Sequence, residues 1–420
     1  MAGIALNFSH KTRSTAVEVA GNIQTGIKGR DTWHARAGVV LLMLTGLTLP
    51  LSTALGCTVF PLVAAAVWLA SGAFFKLPEL LRKNPVGALS FGLFLWLMVA
   101  SSYNSMGLDA GLAGLKKYRE LALIPVFIAL LQTATERRRV LHALQVGLGL
   151  ALMVSFVQAV GLLPLYKGQA APSSSITHGT LMAWLAFWLM HEARLRGGWV
   201  PWLGVALITV NVFLIIHATT GVVLMLAGGG LFVWQVFPLR RAATISLVLL
   251  ILPLLFFFAS TTFRGLVKSD MAGLQQKTEG QPAHGGVGER LEFWRNTTAI
   301  IRESPMLGHG TGSFGLQYNQ RIAGTQFTPT TNPHNEYLMI WAQAGLPAVV
   351  LLVALFICQW LRSAGTDRWL AQGFVVLFAI GCAFNSFILD SREGMLFALL
   401  TAVLWPALAR GCPGITAMKP

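Results

Sequence analysis

The chain holds little acid and little sulfur. Its 420 residues include 16 Asp and Glu against 31 Lys and Arg. Only five are Asp: Asp31, Asp109, Asp270, Asp367 and Asp390. No DxD pair occurs, and no outer loop gathers a His/carboxylate set, so no metal ligands and no cofactor are assigned. The four Cys (Cys57, Cys358, Cys382, Cys412) are scattered without a CxxC. That spacing indicates neither a metal knuckle nor a disulfide framework. Charge of either sign is scarce, at 11% of residues. What is abundant is hydrocarbon: 55% of the residues are hydrophobic and mean hydropathy is +0.64. A soluble chain of this length could not hide so much apolar surface. The net charge of +15 comes without any nucleic-acid-binding motif. The first 36 residues are polar and basic without a signal-peptide pattern, and they read as a cytoplasmic tail.

Apolar runs of roughly 17–25 residues predict membrane-crossing helices rather than barrel strands, because lipid leaves no other partner for the backbone. About twelve are expected, near 38–56, 58–75, 86–103, 120–134, 139–163, 178–194, 199–216, 218–237, 242–262, 335–361, 369–389 and 393–409. Every second loop is basic: Lys76/Arg82/Lys83, Arg137 to Arg139, Arg194/Arg196, Arg240/Arg241 and Arg362/Arg368. The N-terminal tail (Lys11, Arg13, Lys28, Arg30, Arg36) and the C-terminal tail (Arg410, Lys419) share that sign. The positive-inside rule then puts both termini in the cytoplasm.

The exceptions to the rule lie on the other side. Lys116, Lys117 and Arg119 sit in a short outer loop, and Lys167 and Arg392 in two more. The long outer loop carries Arg264, Lys268, Lys277, Arg290, Arg295, Arg302 and Arg321. Long loops cross regardless of charge, but a basic cluster abutting a span opposes the topology signal. A basic outer surface suits an anionic, phosphorylated substrate.

Inside the long loop, 287–301 predicts a helix with Leu291, Trp294, Thr298 and Ile301 on one face and Arg290 one turn from Trp294. Pro305 ends it. The run Gly308 to Gly315 follows, and its glycines suggest a close approach of backbone to a ligand. It is no Walker motif, since no GK[ST] follows. Residues 277–288, rich in Gly and polar groups, are expected to be mobile. Pro333 then opens a helix with His334 at its N-terminus, at the outer boundary. The positive end of the dipole favours a neutral imidazole, the form a general base needs. Glu336 is explained by the same dipole. Asp390 and Arg392 share a short outer turn, where they form a local salt bridge, orient His334 or bind sugar. His178 and His217 border outer helix ends as structural or sugar-contacting groups. Trp294 and Tyr318 serve as interface anchors or as sugar-stacking platforms. Gly228 to Gly230 predicts close helix packing.

These residues also carry a resemblance. His334-Asn335, then nine residues, then Gly345-Leu346-Pro347 is similar to the pattern of the bacterial O-antigen ligase family. So are Gly288-Glu289-Arg290-Leu291 with Trp294, Ser304-Pro305, and Gly308 to Phe314. The sharp motifs occupy residues 288–348. The chain departs from the family at Ala348, and at Thr219-Thr220-Gly221, where family members often carry an Arg.

The resemblance implies an all-α polytopic membrane protein with about twelve transmembrane helices, one large periplasmic loop and a GT-C-like glycosyltransferase architecture. Its divisions would be a cytoplasmic tail (1–36), helices 1–9 (37–262), the periplasmic loop (263–334), helices 10–12 (335–409) and a second cytoplasmic tail (410–420). It implies a bacterial inner-membrane enzyme with its site facing the periplasm. The donor would be a polysaccharide on undecaprenyl diphosphate, and the acceptor a sugar hydroxyl of lipid A–core. His334 would be the base and Arg290 the main diphosphate ligand, since a guanidinium grips phosphate through two parallel hydrogen bonds. Arg119, Lys116, Lys117 and Arg264 are candidate helpers, and Asn335 and Asp390 candidate substrate contacts. The alternatives are an O-antigen polymerase, a protein O-oligosaccharyltransferase, and a lipid or solute transporter. The transporter fits less well, because ionisable groups cluster at the outer boundary and not within spans.

Overall fold

The computed structural model describes residues 33–259, 264, 265, 268 and 286–406. The expectations for 1–32, for Lys277 and most of 260–285, and for the C-terminal tail lie outside the described residues. Among the described residues the regular structure is helical, and the one recorded bridge is the isolated pair Tyr166–Gln169.

The chain opens with α1 (Trp33–Thr48), a π-turn (Leu55–Val59), α2 (Phe60–Ala70), α3 (Leu77–Lys83) and α4 (Pro85–Ser102). Next come α5 (Leu108–Leu115), α6 (Arg119–Leu130), α7 (Ala134–Ala159) and α8 (Ser175–Arg196). Then follow α9 (Val200–Val210) with a π-turn (Asn211–Ile216), α10 (Thr219–Val236) and α11 (Leu239–Ala259). The last elements are α12 (Gly286–Glu303), α13 (Phe314–Arg321), α14 (Glu336–Arg362), α15 (Arg368–Phe384) and α16 (Ser391–Leu404). Each expected apolar stretch contains a helix. Among the described residues four helices (α4, α7, α10 and α14) are long and apolar enough to cross a membrane, or five if the bent segment 55–83 counts as one.

Several boundaries differ from expectation for physical reasons. The stretch 58–75 is interrupted by a bend of 85° between residues 70 and 73. The stretch 120–134 stops at Leu130, because Thr133 and Glu136 form a reciprocal capping box that starts α7. The loop before it, read as plain connection, holds the short helix α5. Its Gly111 packs on the Ser101 carbonyl, where an added Cβ would lie at 2.3 Å. Helices α8 and α10 meet at Gly179 and Gly221, where a Cβ on Gly221 would sit 2.7 Å from the Gly179 Cα. Gly228 faces Leu377 and Phe187 from neighbouring helices. Small residues let helix backbones approach closely.

Helix α14 is broken. Gly345 has φ 72° and ψ −175°, and Pro347 follows two residues later. Pro347 has no N–H for the Gln343 carbonyl, which accepts from Gly310 N–H instead at 2.8 Å. Leu346 N–H turns to the Pro305 carbonyl at 3.0 Å, so the Ala342 carbonyl accepts from His309 N–H at 3.0 Å. The Ala344 carbonyl accepts from the Trp96 indole at 2.8 Å. Each interrupted backbone group thus finds a partner, as a buried or lipid-facing break requires. The nine residues between Asn335 and Gly345 are the half-helix running from its cap to this break.

The same contacts correct the reading of the glycine-rich run. Gly308, Gly310 and Gly312 have φ of 69°, 96° and 91°. A Cβ on each would lie 2.5–2.6 Å from Gln343, Asn104 and Ala110 backbone atoms, respectively. These glycines admit protein backbone, while Gly312 and Gly315 also border a cleft.

Candidate functional site

His334 precedes α14, and Asn335 is the cap. The Asn335 side-chain oxygen accepts from Leu338 N–H at 3.1 Å, and its amide nitrogen donates to the Ala383 carbonyl at 3.1 Å. The oxygen of this candidate substrate contact is therefore engaged in capping α14, and its nitrogen in joining α14 to α15. His334 itself has a left-handed backbone, φ 54°. Asn332 holds it there, its side-chain oxygen accepting from His334 N–H at 2.8 Å and from the Ser386 hydroxyl at 2.7 Å.

The ring of His334 is half-buried. Its Nδ1 lies 2.8 Å from Asn385 Oδ1, and Asn385 Nδ2 lies 2.8 Å from Asp390 Oδ2. A carboxylate only accepts, so the Asp390 side turns the Asn385 amide with its oxygen toward the imidazole. Nδ1 is then the protonated nitrogen, and Nε2 carries the lone pair. Burial pushes the Asp390 carboxyl above its ordinary 3.8, while Asn385, His334 and Lys117 pull it back. Asp390 thus sits behind His334, and the expected local salt bridge with Arg392 is not made. Arg392 turns instead to the Pro50 and Pro172 carbonyls at 3.1 and 3.3 Å, and to the Thr53 hydroxyl at 2.9 Å.

The turn carrying Asn385 and Asp390 is fixed by Glu336. This fully buried carboxylate accepts from Ile388 N–H at 2.8 Å and Leu389 N–H at 3.2 Å. The helix dipole alone does not account for it.

On the other side of His334 lies α12. Phe293 stacks on the imidazole, with ring centroids 6.1 Å apart, and the Trp294 indole donates to the Pro333 carbonyl at 3.0 Å. The buried positions of α12 include Glu292, Phe293, Thr297, Ile300 and Ile301, and of the predicted stripe Ile301 alone is among them. Trp294 is half-buried and spends its N–H on holding Pro333. Arg290 is half-buried one turn before Phe293 and Trp294. Tyr318 is fully buried against Phe293 and Phe314, which removes it as a stacking platform. Burial also pushes its hydroxyl up to about 12.

A cleft of about 370 Å³ is lined in part by Lys117, Gly312, Phe314, Thr331 and Leu389, and none of His334, Arg290, Asn385 and Asp390 is in its lining. Of the basic cluster, exposed Lys117 borders the cleft and lies close enough to act on Asp390. Lys116 is exposed but absent from the lining. Arg119 donates to the Cys57 carbonyl at 3.0 Å and pairs with buried Glu120 at 3.3 Å. Arg264 is half-buried, outside this lining. Asn385 was the residue that sequence reasoning missed. Its signal was an amide near the end of an apolar run, just before the turn that holds Asp390.

A sequence profile described as O-antigen ligase matches residues 203–353. The matched stretch is of the O-antigen ligase type. It includes Arg290, Phe293, His334 and the Gly345 break, and it leaves Lys117, Asn385 and Asp390 outside. An uncharacterized protein of Haemophilus influenzae is 24% identical over 133 residues, which cover 30% of this chain and 33% of that protein. The chain therefore aligns with about a third of that curated relative's length. Features of the chain outside 203–353 rest on geometry alone.

Proposed function

We propose that the protein is an inner-membrane glycosyltransferase that ligates an O-antigen polysaccharide from undecaprenyl diphosphate onto a lipid A–core hydroxyl at the periplasmic face. The reading keeps about twelve spans, a large periplasmic loop and both termini in the cytoplasm. The observation that carries it is the chain His334–Asn385–Asp390, which engages Nδ1 of the imidazole.

In this reading His334 Nε2 takes the proton of the acceptor hydroxyl as its oxygen attacks the anomeric carbon. The bond from that carbon to the diphosphate oxygen breaks, and the bonding pair leaves with undecaprenyl diphosphate. Attack from the face opposite the leaving group inverts the anomeric centre. Asp390 stabilises the imidazolium through Asn385. Arg290 and Lys117 meet the negative charge growing on the diphosphate. Arg119, Lys116 and Arg264 play lesser parts: Arg119 anchors the basic turn, while Lys116 and Arg264 draw the anionic donor toward the surface.

The test is transfer by purified protein in nanodiscs, supplied with an undecaprenyl-diphosphate-linked glycan and lipid A–core under excess chelator. Wild type should transfer, and Arg290→Ala and His334→Ala should not. Elongation of the lipid-linked glycan without transfer to lipid A–core would replace ligase by polymerase.

A further inference from the structure

A cavity of about 360 Å³ opens between the start of α7, the end of α8 and the start of α15. His334 meets Asn385 just past the other end of α15, roughly 25 Å away by the length of that helix. In the proposed orientation the cavity faces the cytoplasm, since the loops around it are the basic ones.

Its charges do not cancel. Arg138, Arg196, Glu192 and Asp367 line it. Glu192 is already met by the Gln145 amide at 3.0 Å and by Arg196 at 3.7 Å. Asp367 lies close enough to Arg137 to act on it. Arg138 is exposed and has no hydrogen bond or ion pair among the described residues. Arg139, Arg194 and Arg368 adjoin the lining in sequence and are exposed as well. The charge left over is therefore positive.

Two buried rings in the wall hold polar atoms without a protein partner. Trp188 is 6% exposed and His191 4%. His191 Nε2 lies 3.0 Å from Gln235 Oε1, and Gln235 Nε2 donates to the Trp369 carbonyl at 3.4 Å. The imidazole proton is thus on Nε2, and Nδ1 is left as an acceptor. The Trp188 indole N–H makes no hydrogen bond among the described residues. Neither atom is sealed from solvent. A donor and an acceptor of this kind call for partners on an occupant. Leu195, also in the lining, is 72% exposed and offers hydrocarbon beside them.

The occupant that matches an unpaired guanidinium, an indole donor, an imidazole acceptor and adjoining hydrocarbon is an amphiphile with a phosphate and a hydroxyl. We infer that the cavity seats the headgroup of a phosphatidylglycerol-type lipid from the adjacent leaflet, a site separate from the proposed transfer reaction. The phosphodiester meets Arg138 and Arg196, and one of its oxygens accepts from the Trp188 N–H. A glycerol hydroxyl donates to His191 Nδ1, and the acyl chains leave past Leu195. Basic pockets between helices on the cytoplasmic side suit anionic headgroups. An ethanolamine headgroup would bring an ammonium toward Arg138, while both carboxylates are already engaged.

The experiment uses delipidated full-length protein in detergent, with affinity read by native mass spectrometry and Tm by thermal unfolding. Phosphatidylglycerol at about 100 times its Kd should raise Tm by about 4 °C. Phosphatidylmethanol, which keeps the phosphodiester and lacks the hydroxyls, should bind about tenfold more weakly, as should phosphatidylethanolamine. Arg138→Glu, at an exposed position, should weaken phosphatidylglycerol by about tenfold or more and leave transfer unchanged. Arg240→Glu, exposed in another basic loop outside the cavity, should change that affinity by less than about twofold. His191→Phe should bring phosphatidylglycerol and phosphatidylmethanol within about twofold of each other. Equal affinity of the wild type for those two lipids overturns the assignment. So does binding of phosphatidylglycerol by Arg138→Glu within about twofold of wild type. A Tm rise of the same size with inorganic phosphate alone overturns it too, since the site would then read phosphate and not a lipid.

Discussion

Among the described residues three histidines lean on a side-chain amide, and one of these three, His334, also has a carboxylate behind the amide. His178 meets Asn211 at 3.0 Å, His191 meets Gln235 at 3.0 Å, and His334 meets Asn385 at 2.8 Å. The difference lies behind the amide. Asn211 passes to Ser155 and then to a backbone carbonyl, and Gln235 to the Trp369 carbonyl. Both chains end on fixed dipoles inside the helix bundle. Asn385 passes to a carboxylate. The exposures differ in the same sense: His178 is fully buried and His191 is 4% exposed, while His334 is half-exposed beneath Phe293. A histidine–amide pair by itself is a packing device. It becomes a candidate base when an anion can compensate the imidazolium and the second nitrogen is reachable.

The comparison is broken most directly at His334. His334→Ala should lower transfer by about 10²–10⁴-fold, the usual worth of a general base, with the protein still folded by thermal unfolding. Asn385→Leu should come next. It keeps the volume but releases the ring, and a loss of about 10–100-fold in kcat is expected by analogy with other orienting partners. A kcat equal to wild type would reduce the third pair to the status of the first two.

The Asp390 arm predicts a pH signature. Burial raises this carboxyl in the folded protein, so folding favours its neutral form. Its contribution to stability is full below the unfolded value near 3.8 and declines as pH rises through the folded value. Activity runs the other way, because compensation of the imidazolium needs the charged form. Protonation of Asp390 should therefore add to the fall of kcat on the acid side, and Asp390→Asn should remove that component while the fall due to protonation of the base itself persists, as a rate–pH profile would read. His191→Ala should give the opposite split, with kcat within about twofold of wild type and stability lower by about 1–3 kcal/mol, since Gln235 loses its partner. The smallest effect belongs to the exposed Arg321–Glu303 pair, 2.7 Å apart. Arg321→Ala should change stability by no more than about 1 kcal/mol.

Much of this was legible in the chain. Apolar runs marked where helices form, because lipid or a bundle core demands them wherever polar side chains are absent. His334 stood out at the boundary beside a basic loop, and Arg290 one turn from Trp294. What stayed hidden was contact across distance. Asn385 is 51 residues from His334 and lies near the end of an apolar run. The helix break was visible only as Gly345 and Pro347. That Met306 and the 308–312 loop fill it depends on three-dimensional fit, where a Gly345 Cβ would fall 2.1 Å from the Met306 carbonyl oxygen. The helix at 287–301 was legible, but that Leu291, Trp294 and Thr298 stay half-buried while Phe293 and Thr297 are buried depends on what packs against it.

The break in α14 also bears on how the protein is made. The segment 305–312 leaves the ribosome before residues 342–346, which rely on it for hydrogen bonds. When the half-helix takes its place, the amides of His309 and Gly310 are already on hand for its freed carbonyls. Reversing that order, by a circular permutation opened between 312 and 342, would deliver bare carbonyls to hydrocarbon, each at a cost of several kcal/mol. The order of synthesis thus places the partners of the Ala342 and Gln343 carbonyls ahead of them.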